Sequence, residues 1–303
     1  MSRLFDTHAH LIAADPQLYP PSCLRGQSDL PAMPSAITVE MLLEDMDANA
    51  VQWACLVQRA HVYGYDNSYV VDSALACSER LISVGVFDAQ DPATPDIVAE
   101  LATGRGLRGV RICSVRPWEM DTGWLNSPQA MKFWETAAAH SLPVAVIFFH
   151  YHLAWGLPAL REIARLFPDL PIIVDHVGCR HASGPEVRWG EDQGFDMRAP
   201  GPPDYGLPEA LGPFLDRRSV AFKMTKINVD RLRDAGLQLS GFVRRLVDLV
   251  GADRLMWGSD IGQSPGTYAE MTAAAREAGA ELNDVERERF FSGTARRIYR
   301  MED

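Results

Sequence analysis

Residues 4–10 read Leu-Phe-Asp-Thr-His-Ala-His, a short β-rich run that ends in two histidines spaced two apart. Side chains two apart project from the same face of an extended strand, so this run places His8 and His10 side by side. Two neighbouring neutral imidazoles are good ligands for Zn²⁺ and similar ions. A His-x-His pair also fits two exposed strand histidines, so the rest of the chain has to decide between these interpretations.

Seven further β-rich runs follow at intervals along the chain. They are Val51–Val57, Leu81–Phe87, Leu107–Cys113, Pro143–His150, Pro171–His176, Val220–Thr225 and Leu255–Asp260. Helix-sized segments separate them, and several carry recognisable start signals. Thr38 is expected to cap a helix with Met41, Leu42 and Met46 on one apolar face. Asn283 followed by Glu286 has the spacing of a capping box and predicts a helix near the C terminus.

Eight strands that alternate with helices predict an α/β fold, a (β/α)₈ TIM barrel formed as a single domain by residues 1–303. Continuous apolar strands suit a parallel sheet that is covered on both faces. Long loops are expected after strands 1 and 6, at about Leu11–Ala36 and at Ser183–Pro213. Because long irregular segments inside compact domains usually serve function, the second loop is interpreted as an active-site loop.

Composition excludes several classes of protein. The 303 residues are 47% hydrophobic and 23% charged, and their net charge of −11 disfavours binding to nucleic acid or to an anionic membrane. The sequence has no uninterrupted apolar stretch of the roughly 20 residues that a membrane span needs, and no signal peptide is recognised. Five cysteines are scattered without a Cys-x-x-Cys pair, which favours a reducing cytoplasm.

Potential ligands fall at the ends of several predicted strands. His8 and His10 end the first run, His150 the fifth, His176 the sixth and Asp260 the eighth. In a parallel barrel the carboxyl ends of the strands meet, so these side chains are expected to converge. They predict a site for one divalent ion, with zinc or manganese favoured, in which Asp260 binds the ion or accepts a proton from water. His152 competes with His150 for the inward position, and either can be an ordinary core histidine.

Two aspartates precede the metal-type histidines in the sequence. Asp6 and Asp175 are predicted to hydrogen-bond the backbone or to support the ligands rather than to react.

Cationic residues also fall at or just after strand ends. They are Arg59, His61, Arg111, Arg116, Arg180 and Lys223. Since arginine binds carboxylates in a bidentate manner, this set predicts a small anionic substrate. The alternative is that these side chains are solvated or paired with the abundant Asp and Glu. Arg111 is the strongest candidate, because it lies inside an apolar strand.

Four motifs carry a family resemblance. They are Asp6–His10, Phe167–Leu170 ahead of Val174–Gly178, Trp257–Asp260 and the closing Ser292–Tyr299. In this order they resemble the "amidohydrolase 2" branch of the amidohydrolase superfamily, whose members are TIM-barrel hydrolases and lactonases. The resemblance implies catalytic positions for His8, His10, His176 and Asp260. The fourth run offers no Lys or Glu to bridge two metals, so one metal ion or none is expected; some lactonases of this branch work without one.

The resemblance also implies the reaction. Members of this branch open sugar lactones and the pyrone or muconolactone acids of aromatic breakdown, and related barrels decarboxylate aromatic acids. We therefore expect a hydrolase that opens a lactone or similar cyclic ester with an activated water, with Asp260 and His176 as catalytic residues. The alternative is a metal-dependent decarboxylase or hydratase of an aromatic or dicarboxylic acid. A binding protein on a degenerate barrel is disfavoured by the retained histidines and Asp260, and a homo-oligomer is left open.

Overall fold

The computed structural model describes residues 3–24, 33–114, 121–148, 153–178, 201–207 and 211–301. Eight strands run in parallel and pair in chain order. They are β1 (Leu4–Ala9), β2 (Val51–Val57), β3 (Leu81–Val86), β4 (Gly109–Cys113), β5 (Val144–Ile147), β6 (Ile172–Val174), β7 (Val220–Met224) and β8 (Leu255–Trp257). The predicted (β/α)₈ barrel is confirmed.

Helices alternate with these strands. They are α1 (Val39–Ala48), α2 (Ala60–Tyr63), α3 (Ser68–Ala76), α4 (Thr94–Gly104), α5 (Gly123–Asn126), α6 (Pro128–Ala139), α7 (Leu153–Leu166), α8 (Lys226–Asp234), α9 (Leu239–Val250), α10 (Tyr268–Ala278), α11 (Asp284–Glu288) and α12 (Thr294–Tyr299). The capping box at Asn283 is present at the start of α11. Thr38 caps α1 as predicted, but Met41 is 48% exposed while Leu42 and Met46 are buried. Adjacent helical residues point about 100° apart, so Met41 and Leu42 cannot both lie on a narrow buried stripe.

Two apolar layers form the core. The outer layer packs the helices against the sheet, and the inner layer lies inside the barrel. The inner layer consists of Phe5, Trp53, Cys55, Val57, Ile82, Val84, Ala145, Ile173, Ala221, Met256, Ala295, Ile298 and Tyr299. Its last three residues belong to α12, so the closing helix seals the end of the barrel where the strands begin. His8, His10, His176 and Asp260 lie at the opposite, carboxyl end of the strands.

The first and last strands meet through the residues that follow β8. The Asp260 N–H donates to the His8 carbonyl at 2.7 Å, and the His10 N–H donates to the Ile261 carbonyl at 2.9 Å. The Thr7 hydroxyl also donates to the Trp257 carbonyl at 2.6 Å. These bonds fix Asp260 directly beside the histidines of β1.

A bulge in β1 determines which way its histidines point. Asp6 pairs with Ala54 and Ala9 pairs with Leu56, so three steps in β1 match two in β2. Regular alternation would place Phe5 and His8 on opposite faces. Because the bulge adds one residue, Phe5 enters the inner layer and His8 also faces the interior, where it meets Asp175 and Asp260.

Most of the predicted loop after strand 6 lies outside the described residues. No helix within the described ranges is both long and apolar enough to cross a membrane.

Candidate active site

The two histidines of β1 face the same carboxylate. Nε2 of His8 lies 3.5 Å from Oδ1 of Asp260, and Nε2 of His10 lies 3.4 Å from that same oxygen. The two imidazole rings are nearly perpendicular, at 85°, with centroids 4.9 Å apart. All three side chains are buried. The structure therefore brings together three of the residues that the sequence proposes as ligands.

The hydrogen bonding of His10 defines which of its nitrogens is available. Nδ1 lies 2.8 Å from the Val57 carbonyl. Because a carbonyl only accepts, Nδ1 carries the hydrogen, and Nε2 of the neutral ring keeps its lone pair. That lone pair faces Oδ1 of Asp260, and two electron-rich atoms at this distance are stabilised by a cation shared between them. A carbonyl partner on the far nitrogen is the usual way of orienting a metal-binding histidine.

His8 is fully buried between two carboxylates. Its Nδ1 lies 3.8 Å from Oδ1 of Asp175, on the side away from Asp260. Neither ring nitrogen has a hydrogen-bond partner within the described part of the chain. Burial, followed by the positive charges of Lys223 and Arg111, lowers the pKa of His8 well below its ordinary value. His8 is therefore neutral at pH 7 and has a lone pair for a ligand.

Asp260 is held in one position by its own backbone and by a hydroxyl. It has a left-handed φ of 61°, and the Ser264 hydroxyl donates to Oδ2 at 2.6 Å. Burial alone would raise the pKa of Asp260, but its interactions with His10, His176 and Ser264 hold that pKa below its ordinary value. The carboxylate is therefore ionised at neutral pH.

His176 joins the group from the sixth strand. It follows β6 in the tight turn Asp175–Gly178, and its ring centroid lies 5.2 Å from that of His8. Nδ1 lies 2.7 Å from the Thr225 hydroxyl, and the backbone carbonyl accepts from Asn228 Nδ2 at 2.9 Å. Burial lowers the pKa of His176 to about 4, so it is also neutral at pH 7.

The turn that carries His176 is strained. His176 and Val177 have φ of 53° and 52°, in the left-handed region that costs a non-glycine residue roughly 1–2 kcal/mol. Asn228 offsets part of this cost, since its side chain binds the His176 carbonyl and also accepts from the Thr225 N–H at 3.0 Å. Strained backbone of this kind clusters at functional sites, because surrounding contacts must hold it in place.

Asp175 lies between two cations. Its Oδ2 accepts from Nε of Arg111 at 2.8 Å, and its Oδ1 lies 3.5 Å from Nζ of Lys223. Both cations are buried, and Lys223 has no exposed surface. Burial alone would raise the pKa of Asp175, but the charges of Lys223 and Arg111 hold it below its ordinary value. Arg111 and Lys223 are thus paired with a carboxylate, the alternative that the sequence left open for them.

Two glycines allow β1 and the segment after β8 to approach each other. A Cβ on Gly258 would lie 2.5 Å from the Cβ of His8. A Cβ on Gly262, which has a φ of +83°, would collide with the His10 carbonyl. Glycine at these two positions is therefore a packing requirement of the site.

The donor atoms fit a single divalent ion. Zinc binds imidazole nitrogen and carboxylate oxygen at about 2.0–2.2 Å, so two donors on one tetrahedral ion lie about 3.4 Å apart. The separations of 3.5 Å and 3.4 Å from Asp260 Oδ1 to His8 and His10 match that spacing. Asp260 Oδ1 has no hydrogen-bond partner in the described ranges, which leaves it open to a ligand.

The predicted substrate-binding residues are only partly described. Nε of Arg59 donates to Gln263 at 2.9 Å, and Nη1 is buried without a hydrogen-bond partner among the described residues. Desolvation, followed by the charges of Arg111 and Arg59, lowers the pKa of the neighbouring His61. The remaining predicted site residues, His150, Arg116 and Arg180, lie outside the described residues, as does His152.

Three supporting side chains were not identified from the sequence. Thr225 and Asn228 position His176, and Ser264 positions Asp260. The spacing Thr225-x-x-Asn228 is a helix-start signal that would have placed both residues directly after the seventh strand. Ser264 lies in a turn and carries no comparable signal.

Eight parallel strands with buried histidines and aspartates at their carboxyl ends define an enzyme of the TIM-barrel class. Residues 5–301 match the family model described as amidohydrolase, and the chain belongs to that family. A relative, L-fucono-1,5-lactonase of Burkholderia ambifaria, is 26% identical over 248 residues, which are 78% of this chain and 76% of the relative.

Solved structures share the fold at lower identity. A candidate 2-pyrone-4,6-dicarboxylic acid hydrolase from Pseudomonas putida has a TM-score of 0.71 at 20% identity, over 100% of this chain and 99% of that one. A zinc-bound amidohydrolase from Burkholderia multivorans has a TM-score of 0.71 at 20% identity, over 99% and 100%. The 5-carboxyvanillate decarboxylase of Novosphingobium aromaticivorans, with manganese, has a TM-score of 0.64 at 14% identity, over 99% and 96%.

Proposed function

We propose that this enzyme opens a lactone or similar cyclic ester of a small carboxylated molecule by adding water. The observation that carries the proposal is the ionised Asp260 beside the two histidines of β1, His8 and His10, at the carboxyl end of the barrel. A lactonase relative at 26% identity supports the type of bond.

Asp260 would act as the base. Its carboxylate accepts a proton from a water molecule, and the hydroxyl oxygen adds to the lactone carbonyl carbon. The ring C–O bond then breaks, and the proton passes from Asp260 to the departing ring oxygen, which gives the hydroxy acid. His176, held by Thr225, is placed beside His8 to stabilise the negative charge that develops on the carbonyl oxygen.

His8, His10 and Asp260 are the residues that would hold a divalent ion, with His176 adjacent. When bound, zinc or manganese would supply Lewis acidity and lower the pKa of a water. The three histidines bind metal only when neutral, and the lowered pKa values of His8 and His176 provide that state at pH 7. If the enzyme works without metal, the oxyanion needs an N–H donor, which His176 supplies from Nε2 when the Thr225 hydroxyl donates to its Nδ1.

A carboxylated substrate is supported by the charge at the mouth of the site. Inside the barrel, Arg111 and Lys223 are both paired with Asp175. Arg59 adds a cation whose Nη1 is buried and has no hydrogen-bond partner among the described residues, and His61 lies beside it. A substrate carboxylate would satisfy that guanidinium. Sugar lactones and the pyrone or muconolactone acids of aromatic breakdown are the substrates to test.

The alternative is decarboxylation or hydration of an aromatic or dicarboxylic acid. The same donor set would serve this reaction, with Asp260 protonating a carbon instead of an oxygen. The fold is shared with a decarboxylase as well as with lactone hydrolases. The two reactions are therefore told apart by their products, a hydroxy acid from lactone hydrolysis and CO₂ from decarboxylation.

The test is an assay of purified enzyme on a panel of neutral and carboxylated lactones, with proton release and the hydroxy acid as readouts. CO₂ release from aromatic acids is measured in parallel. We expect lactone turnover that is lost in Asp260→Asn and kept in Asp169→Asn, the same change at an exposed position. Lactone turnover unaffected by Asp260→Asn would contradict the mechanism, and CO₂ release without lactone turnover would establish the alternative.

Chelation separates the two ways of activating the water. Loss of both metal and lactonase activity would support a metal-activated water, whereas activity that persists without metal would leave Asp260 as the base. We also propose a cytoplasmic location, because the four described cysteines are free thiols.

A further inference from the structure

The potential metal ligands form two overlapping groups that share His8. One group is His8, His10 and Asp260, and the other is His8, Asp175 and His176; within each, the donor atoms lie within 4.8 Å of one another. His8 faces the two groups with different nitrogens, Nε2 toward Asp260 and Nδ1 toward Asp175. A neutral imidazole has a single lone pair, so His8 can bind an ion on one side only.

Lys223 lies beside Asp175, in the second of these two groups. Its Nζ is 3.5 Å from Oδ1 of Asp175, the same oxygen that faces His8. Arg111 occupies the other oxygen, Oδ2. Both oxygens of Asp175 therefore already face a cation, whereas among the described residues the ion-pair partners within 4 Å of Asp260 Oδ1 are the two histidines of β1.

Burial makes the charge of Lys223 effective. The side chain has no exposed surface, and Nζ has no hydrogen-bond partner in the described part of the chain. Charges in such surroundings are weakly screened, so a divalent ion on Asp175 would be strongly repelled by the neighbouring ammonium. An ion on Asp260 would avoid that contact and would leave Asp175 paired with its two cations.

We propose that Lys223 directs a divalent ion to the group His8, His10 and Asp260 by occupying Oδ1 of Asp175. His8 then binds through Nε2, and its Nδ1–H faces Asp175, which is the arrangement by which carboxylates orient metal-binding histidines. Lys223 is thus a positioning residue for the ion. The inference rests on the metal site of the proposed function and is independent of the substrate.

The test is a rescue experiment on zinc binding, read by elemental analysis after dialysis. We expect Asp260→Asn to lose the ion and the double variant Asp260→Asn/Lys223→Met to regain one, because Oδ1 of Asp175 is then free. Adding Asp175→Asn should abolish the regained ion. Lys132→Met in the Asp260→Asn background is the matched control, since Lys132 is exposed on α6, and it should restore nothing. Failure of Lys223→Met to restore an ion would overturn the proposal.

A second measurement uses the unaltered protein and does not depend on the variants folding. Anomalous diffraction at the zinc edge should place the ion between His8, His10 and Asp260. An ion beside Asp175 and His176, or none in zinc-saturated crystals, would overturn the role of Lys223. If the crystals hold no zinc but the protein still hydrolyses lactones, the proposed hydrolysis stands and only the role of Lys223 fails. The failure of this inference can therefore be told apart from the failure of the proposed function.

Discussion

The carboxylate of Asp6 accepts two hydrogen bonds from Ser259, one from its backbone N–H to Oδ1 at 2.7 Å and one from its hydroxyl to Oδ2 at 2.5 Å. The same buried carboxylate accepts from the Tyr268 hydroxyl and from the His8 N–H, each at 3.0 Å. Asp6 therefore joins β1 to the segment that carries Asp260 and contacts the backbone N–H of His8, in agreement with its predicted supporting role.

Replacing Asp6 with Asn should destabilise the fold. An amide has one acceptor oxygen instead of two, and its NH₂ would face groups that are themselves donors. Each buried donor that loses its acceptor lowers the free energy of unfolding by about 1–3 kcal/mol. Urea unfolding in chelator should show a lower free energy of unfolding for Asp6→Asn and no change for the exposed Asp169→Asn. Equal stability of Asp6→Asn and the wild type would contradict the role of this link.

Replacing Gly258 with Ala should impair the site more than the fold. The new Cβ would lie 2.5 Å from the Cβ of His8, so His8 must move away from Asp260. Loss of metal binding and of turnover is expected, since displacements near 1 Å cost on the order of 100-fold in rate.

Gly104→Ala is the matched control, because nothing lies within 4 Å of its added methyl. It lies in α4 and should be neutral or slightly stabilising. Unchanged zinc affinity in Gly258→Ala would contradict the packing argument.

Much of the barrel could be predicted from the sequence because parallel strands are apolar on both faces and stand out as short runs. The ends of those runs were less predictable. The sixth was expected to extend to His176, yet β6 ends at Val174 because the chain turns through left-handed residues there. A β-branched residue such as Val177 is rarely found in this conformation, so the local sequence gives no signal of the turn.

The site was predictable as a set of residue types and not as a geometry. Strand alternation predicts that His8 and His10 share a face, but the bulge that also brings Phe5 inside depends on pairing with β2. The pairing of Asp175 with Arg111 and Lys223 joins three different strands or their ends, which no local pattern reveals. Hydrogen bonds from Thr225 and Asn228 to His176 likewise depend on the closed barrel.

Arg59 should contribute to binding a substrate carboxylate. Replacing it with Gln removes a cation beside the site, so KM should rise for carboxylated lactones and change little for neutral ones. Loss of a charged hydrogen bond is worth about 1.5–3 kcal/mol, or roughly 10- to 150-fold in KM. Arg108→Gln is the control, because Arg108 is exposed at the start of β4, the opposite end of the barrel. An equal rise in KM for both classes of lactone would argue against a carboxylate contact.

His176 should make the metal-free protein sensitive to mild acid. Burial lowers its pKa from 6.5 to about 4, so between these values the unfolded chain binds a proton that the folded chain refuses. The stability contributed by neutral His176 is complete above pH 6.5 and is lost as pH falls toward 4. By pH 5 the loss from this residue should reach about 2 kcal/mol. Urea unfolding in chelator at pH 7 and pH 5 measures this loss of stability.

Two variants test whether His176 is the residue responsible. His176→Gln should show a smaller difference in stability between the two pH values. His140 is a half-buried histidine at the end of α6, and His140→Gln should keep the full difference. The same pH dependence in wild type and His176→Gln would show that His176 is not the residue that titrates.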